Sequence, residues 1–408
     1  MSPINIRTQL KSLSVCVLLA SAFVVMNLLI ITLAQQYVPF NTRGFPYGEI
    51  MNQYGLPAQL KALTNFDGVQ YSVIAYEGKY FTYQQAYFPL YPLLIRLVAP
   101  IFAGNYPLAG LVISFISFVS VLYLLNHIGK RLWSLTPMTN GIHPSLWLLL
   151  VLPCSFFFIA LYTESLFLFL TLLLMYLLIE RKFHLLFIVA FLASFTRLVG
   201  IFLIILILLS LLRSKKQTDR LFLLFAVLGS IAGLVTYMLY LVQTTGDPLA
   251  FLNSQTAFNS TRSTHIILLP QVIYRYIKIF ITAKFDPNYF VALVEFGITS
   301  FYLSLILHQL WQLRMNILRI FQKFFHSQAL DDGDMWLMVG LVIFSLINII
   351  LPTLTGTLSS LPRYSLLSLS ILPIILHMRK VPQLVFIGVS FALHVILLTL
   401  FTQGWFVS

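Results

Sequence analysis

The chain alternates between long apolar runs and short polar breaks, and this pattern sets almost everything else. A helix needs about 20 apolar residues to cross a bilayer. Runs of that kind predict membrane spans near residues 12–34, 106–126, 144–161, 165–180, 183–197, 198–212, 220–243, 288–310, 335–352, 364–378 and 382–402. The first run is longer than the apolar part of a typical signal peptide and reads as a retained anchor. Residues 88–103 are apolar but carry Pro89, Pro92, Arg96 and Pro100, so they read as an interfacial or broken helix. No fixed-period repeat and no low-complexity segment interrupts the pattern. The expectation is an all-α polytopic membrane protein of about 11 transmembrane helices, one integral domain over 1–408, with a large first outer loop that contains interfacial helices.

Composition agrees. Of 408 residues, 59% are hydrophobic and only 9% charged, against about 25% charged in soluble domains; mean hydropathy is +0.91. The net charge of +13 could suggest nucleic acid, but its distribution points to loops on the cytoplasmic side. With the N-terminus inside, Arg7 and Lys11, Lys130 and Arg131, Arg181 and Lys182, Arg213 with Lys215 and Lys216, Arg314 with Arg319 and Lys323, and Arg379 with Lys380 all fall on the inner face. The inner loop 311–334 reads as a solvated connector. The outer segments are then 35–105, 162–164, the break near 197, the loop 244–287, and 353–363. That arrangement puts Asp67, Glu77, Tyr162, Glu164, Arg197, Asp247, Arg262, Asp286 and Arg363 on one face. Ionisable groups near lipid are costly unless paired or used, so this face is where chemistry is expected.

In the first outer loop, Asp67, Tyr71, Ile74, Ala75 and Gly78 recur at helical spacing. Asn65 suits an N-cap and Gly78 a helix end. Asp67 would then sit in the first turn, where the helix dipole favours an ionised carboxylate. Two readings stay open: a carboxylate that stabilises a helix N-terminus, or a base that takes a proton from a sugar hydroxyl. The loop aromatics, among them Tyr71, Tyr76, Tyr80, Tyr83, Tyr87, Phe88 and Tyr91, suit an interfacial belt or the wall of a sugar or lipid groove. Glu164 falls at an outer turn between two apolar helices, as a capping acid or as a group that orients an arginine or a sugar hydroxyl. Arg197 lies in Thr196-Arg197-Leu198-Val199-Gly200, amid apolar sequence. It either snorkels or clamps a phosphate whose charge grows as a bond breaks. Asp247 in Gly246-Asp247-Pro248 is a turn and cap signal, and Arg363 precedes a late apolar run.

The residues Phe66-Asp67, Ile74-Ala75, Gly78, Ala86-Tyr87-Phe88-Pro89 and Pro92, then Pro153 with Tyr162-Thr163-Glu164, then Thr196-Arg197 with Gly200, and finally Arg363-Tyr364 resemble motifs of the GPI mannosyltransferase II (PIG-V) family. Phe66, Gln70, Thr82-Tyr83 and Leu152 depart from the family's Trp, His, Glu-His and Asn. The resemblance implies a GT-C-type fold, mannosyl transfer from a polyprenyl (dolichyl-type) phosphate, and Asp67 as catalytic base. It implies substrate-binding roles for Arg197, Arg363, Glu164, Tyr162, Tyr71 and Asp247. Donor and acceptor would be a lipid-linked sugar and a glycolipid, glycan or protein, in a cell membrane of prokaryotic type or the endoplasmic reticulum, with the site on the non-cytoplasmic face. Rival readings are a lipid or sugar transporter and an inactive scaffold subunit.

Several motifs are absent from the sequence. It carries no nucleotide-binding Gly-x-x-x-x-Gly-Lys-Ser/Thr loop and no zinc motif. No cofactor and no nucleic-acid partner are expected. Cys16 and Cys154 lie in apolar runs and suggest no disulfide framework, and His394 reads as a satisfied core residue. Asp332-Gly333-Asp334 has a metal-binding spacing but falls on the inner face.

Overall fold

The structure, a computed structural model, describes residues 6–45, 47–133, 141–257, 262–325 and 334–407. It is 78% helical, with no strand among the described residues. Asp331, Asp332 and Gly333, and with them the metal-binding spacing, lie outside the described residues.

In chain order the helices are α1 (Ile6–Tyr37), α2 (Ala58–Ala62), α3 (Asp67–Glu77), α4 (Leu90–Val98), α5 (Tyr106–Leu132) and α6 (Ser145–Leu150). Then come α7 (Glu164–Ile179), α8 (Leu186–Thr196), α9 (Ile204–Arg213), α10 (Gln217–Thr245), α11 (Ala250–Asn253) and α12 (Leu269–Thr282). The last are α13 (Pro287–Phe325), α14 (Met335–Thr353), α15 (Leu361–Tyr364), α16 (Ile371–Leu376) and α17 (Lys380–Thr402).

Among the described residues six helices are long and apolar enough to cross a membrane: those over Gln9–Tyr37, Tyr106–Leu132, Gln217–Thr245, Pro287–Leu318, Met335–Thr353 and Lys380–Thr402. Four shorter apolar helices cover Leu90–Phe102, Glu164–Ile179, Phe183–Thr196 and Leu198–Arg213. Two of the expected spans are not continuous helices. Residues 144–161 break after Leu150, because Pro153 has no N–H to continue the ladder. Residues 364–378 divide into α15, a 3₁₀ turn over Ser365–Leu367, and α16. Nor is 311–334 all connector, since α13 runs on to Phe325.

The chain forms two compact units, one of Met1–Lys79, Tyr91–Leu172 and Ile375–Val407, the other of Tyr80–Leu90 and Leu173–Ile374. In the first, α1 packs on α5 and α17. Polar side chains from distant helices pair within the protein there, which stands in for the water that lipid does not supply. His394 of α17 bonds Asn27 of α1 through Nε2 (2.9 Å) and Ser155 through Nδ1 (3.0 Å), so it is the satisfied core histidine expected. The irregular stretch 152–163 is buried throughout, a setting in which non-helical backbone is tolerated at membrane depth. Phe158 stacks on Phe118 of α5 at 5.4 Å, and Ser155 Oγ donates to the Leu150 carbonyl at 2.8 Å.

In the second unit α10 lies against α8. Apolar side chains gain little by leaving lipid, so helix pairs there rely on close backbone approach. Gly229 and Gly233, one turn apart on α10, supply it. A Cβ would stand 2.5 Å from the Phe187 carbonyl oxygen at Gly229, and 2.3 Å from that of Phe191 at Gly233.

Candidate functional site

The candidate residues fall into two constellations, one in each unit. In the first, α3 runs from Asp67 to Glu77 and is closed by Gly78 in the left-handed conformation (φ 71°), whose N–H donates to the Ile74 carbonyl. Asp67 therefore does lie in the first turn, half-buried. Asn65 is not the cap. Its amide donates to the carbonyls of Phe401 (3.1 Å) and Thr402 (3.4 Å) instead. The residue before the helix is Phe66, at φ 56° and ψ −113°, a conformation that costs a side-chain-bearing residue on the order of 1–3 kcal/mol.

Three rings hold Phe66 there: Phe45 at 4.8 Å, Phe406 at 5.4 Å and Phe401 at 5.6 Å between centroids. Tyr162 holds the backbone. It is fully buried; its hydroxyl donates to the Asn65 carbonyl (3.0 Å) and accepts the Asp67 N–H (3.3 Å). A phenol from the Tyr-Thr-Glu turn thus ties down both sides of the strained residue.

Tyr162 is linked onward. Its carbonyl accepts from Ser114 Oγ (3.3 Å), which bonds the Tyr91 hydroxyl (2.7 Å). The Tyr91 ring meets Tyr71 edge-on at 5.1 Å. Tyr71 is itself buried on α3, together with Ile74 and Ala75, so this face of α3 packs inward. Glu164, 1% exposed, opens α7 two residues after Tyr162. The far end of α3 is gripped by Arg96 of α4, whose Nη1 donates to the carbonyls of Ala75 (3.3 Å) and Tyr76 (3.4 Å). A cation at a helix C-terminus complements the dipole. Tyr76 and Tyr83 are exposed, whereas Tyr71, Tyr87, Phe88 and Tyr91 are buried. The aromatic loop therefore provides both rim and packing.

The second constellation is cationic. Arg197 terminates α8 in extended backbone (φ −154°, ψ 146°), and a 3₁₀ segment Leu198–Leu203 follows. The Thr-Arg-x-x-Gly spacing has a steric reason. The Gly200 N–H turns back to the Arg197 carbonyl (2.9 Å), and a Cβ at Gly200 would sit 2.2 Å from the Ala193 carbonyl oxygen. Arg363 lies on α15, only 6% exposed, after Ser360 in a left-handed conformation (φ 69°). The two arginines share one ring. The guanidinium carbons of Arg197 and Arg363 lie 4.9 and 5.1 Å from the Tyr364 centroid, within cation–π range.

The loop that carries Arg363 is anchored by a cluster whose centre, Glu295 and Tyr276, the sequence pattern did not single out. Glu295, buried inside α13, accepts a hydrogen bond from the Tyr276 hydroxyl at 2.5 Å. That same oxygen accepts the Leu358 N–H (3.1 Å). Burial first, and then the Glu295 carboxylate, push the Tyr276 phenol well above its ordinary range. Arg262 donates to Gln255 (3.3 Å) and Ser360 (3.5 Å), and Arg275 to the Gly356 carbonyl (3.0 Å). A lone carboxylate within the apolar run 288–310 is a costly placement; that was the signal available in the sequence.

Asp247 has a local duty. Its Oδ1 accepts the Leu249 N–H (2.8 Å) and its Oδ2 the Asn253 amide (2.7 Å), which builds the turn into α11. Among the described residues no group of three His, Cys, Asp or Glu is placed to hold a metal.

The first constellation thus offers a carboxylate on a pinned, strained turn, and the second a pair of guanidiniums on one ring. The former can accept a proton; the latter can hold an anion. No protein-family model, no curated protein and no solved structure matches this chain.

Proposed function

We propose that this chain is a membrane glycosyltransferase that moves a sugar, mannose by the resemblance of its motifs, from a polyprenyl phosphate to a hydroxyl acceptor with inversion. Asp67 is the base. It takes the acceptor's proton as the hydroxyl oxygen bonds the anomeric carbon, and the bond from that carbon to the phosphate oxygen breaks with its electron pair. The leaving lipid phosphate gains charge in that step. Arg197 and Arg363 are its counter-charges, and they help most where the charge is greatest, in the transition state. Glu164, Tyr71 and Tyr162 support the Asp67 end; Asp247 shapes its turn.

The observation that carries this reading is the Phe66–Asp67 turn. A non-glycine residue held at positive φ directly before a carboxylate, and tied on both sides by one buried phenol, is structure kept at a cost. A carboxylate that merely ended a helix would not need it.

The test is transfer from a radiolabelled polyprenyl-phosphate sugar by purified Asp67→Asn protein. Turnover reduced by a thousandfold or more, with donor binding retained, is expected of a lost base. Turnover near that of the unaltered protein removes Asp67 from the role. Movement of donor lipid across vesicles without sugar transfer would favour the transporter reading instead.

A further inference from the structure

The first unit contains a cavity that the proposed chemistry does not use. It is an open recess of about 630 Å³ between the first turns of α1 and the last two turns of α5, lined by Lys11, Ser14, Cys16, Asn126, Lys130 and Leu146, among others. Its volume is in the range of small-molecule sites.

The walls are fixed by hydrogen bonds. Asn126 of α5 donates to Ser12 Oγ of α1 (3.1 Å) and accepts the His143 N–H (2.8 Å). One amide thus clamps two helices and the turn before α6. The cations come from helical spacing: Asn126 and Lys130 are four apart on α5, and Lys11 stands with Ser14 and Val15 on one face of α1. Lys130 leans over Gly141, where a Cβ would be 3.7 Å from its Nζ. Val15, Cys16, Ile142 and Leu146 supply apolar lining, Cys16 and Leu146 buried and the two lysines exposed. From Leu10, which also lines the cavity, an apolar surface continues along α1. Leu10, Leu13, Val17 and Leu18 are 57, 42, 39 and 68% exposed; the three- and four-residue steps of Leu10, Leu13 and Val17 make one stripe, and Leu18, two turns from Leu10, widens it.

Two ammonium groups at the mouth of an apolar recess that opens onto an apolar stripe describe one kind of ligand: a phosphate that carries hydrocarbon. We propose that this cavity binds an anionic phospholipid, its phosphodiester between Lys11 and Lys130 and an acyl chain along the Leu10–Leu18 face of α1. A free phosphate would leave the recess and the stripe unused. A zwitterionic lipid would bring its own cation to the two lysines. The proposal stands whether or not the chain transfers sugar.

The experiment is native mass spectrometry of the full chain released from detergent with added phosphatidylglycerol, phosphatidylcholine or inorganic phosphate. The comparison is the unaltered protein against Lys11→Gln, Lys130→Gln and the double variant. Each lysine near a lipid surface contributes about fivefold to anionic-lipid affinity. Phosphatidylglycerol adducts should therefore exceed phosphatidylcholine adducts, and fall about fivefold in each single variant and about thirtyfold in the double one. Both lysines are exposed, so the variants should fold, and retained helicity by circular dichroism verifies it. Equal binding of the two lipids, equal phosphatidylglycerol binding by the double variant, or stoichiometric uptake of inorganic phosphate would each overturn the proposal. As a second variant, Ser14→Trp fills the recess and should displace the lipid with both charges intact; undiminished binding there also counts against it.

Discussion

Tyr162→Phe probes the Asp67 turn most directly. The substitution removes one oxygen and leaves the ring, which stays packed against Phe157 at 4.7 Å and Phe401 at 5.9 Å. Two hydrogen bonds go with that oxygen, at 3.0 Å to the Asn65 carbonyl and 3.3 Å from the Asp67 N–H. The Asn65 carbonyl keeps the Gly68 N–H at 3.2 Å. At about 1 kcal/mol net for each lost bond, the turn is destabilised by about 2 kcal/mol. That is similar to the strain of roughly 1–3 kcal/mol held at Phe66, so the turn is free to relax and carry Asp67 away from its position. If the base must be positioned by this turn, about 2 kcal/mol corresponds to a fall of roughly thirtyfold in kcat/KM.

The assay is sugar transfer from the lipid-phosphate donor, alongside thermal unfolding in the same detergent. The double variant with Asp67→Asn should be no slower than Asp67→Asn alone, because the phenol acts only through the carboxylate. Unchanged kcat/KM in Tyr162→Phe, or full additivity in the double variant, would refute the argument.

Other substitutions separate steric from chemical roles. Gly200→Ala should destabilise the chain strongly or prevent its folding, since the new Cβ meets the Ala193 carbonyl at 2.2 Å. Gly388→Ala, in open space on α17, should be neutral or stabilise by about 0.5–1 kcal/mol; thermal unfolding of both checks the contrast. Tyr276→Phe leaves Glu295 without its 2.5 Å donor. Leaving a buried acceptor without its donor predicts about 1–3 kcal/mol of destabilisation, and Tyr276→Phe with Glu295→Gln should cost less than Tyr276→Phe alone. His143 is held down to about 4 by burial first and by nearby Lys130 second. A base depressed in the folded state stabilises fully above its unfolded value of about 6.5. That stability is lost as pH falls from about 6.5 toward 4. The unfolding temperature should drop through that window, and His143→Gln should flatten the drop; an identical profile in the variant would exclude His143 as its source.

The sequence by itself determined the helical character and the presence of apolar runs long enough to cross a membrane, because the length of an apolar run sets the length of the helix it can form. It also placed Asp67 in the first turn of a helix that ends at Gly78, because a left-handed closure favours glycine and this is local information. Asp247 was legible as a turn residue for the same reason.

The tertiary structure decided everything that depends on partners distant in the chain. Asn65 suits a cap by type, yet bonds Phe401 and Thr402, more than 300 positions away. The stretches 144–161 and 364–378 are apolar enough to span but break into short helices and turns, because backbone groups there find partners in packed protein that no single segment could offer. The strain at Phe66, the phenol of Tyr162 beneath it, the arginine pair on Tyr364 and the Glu295–Tyr276 anchor are likewise products of packing. Periodicity reports which face of a helix is apolar, and only the fold decides which side chain that face meets.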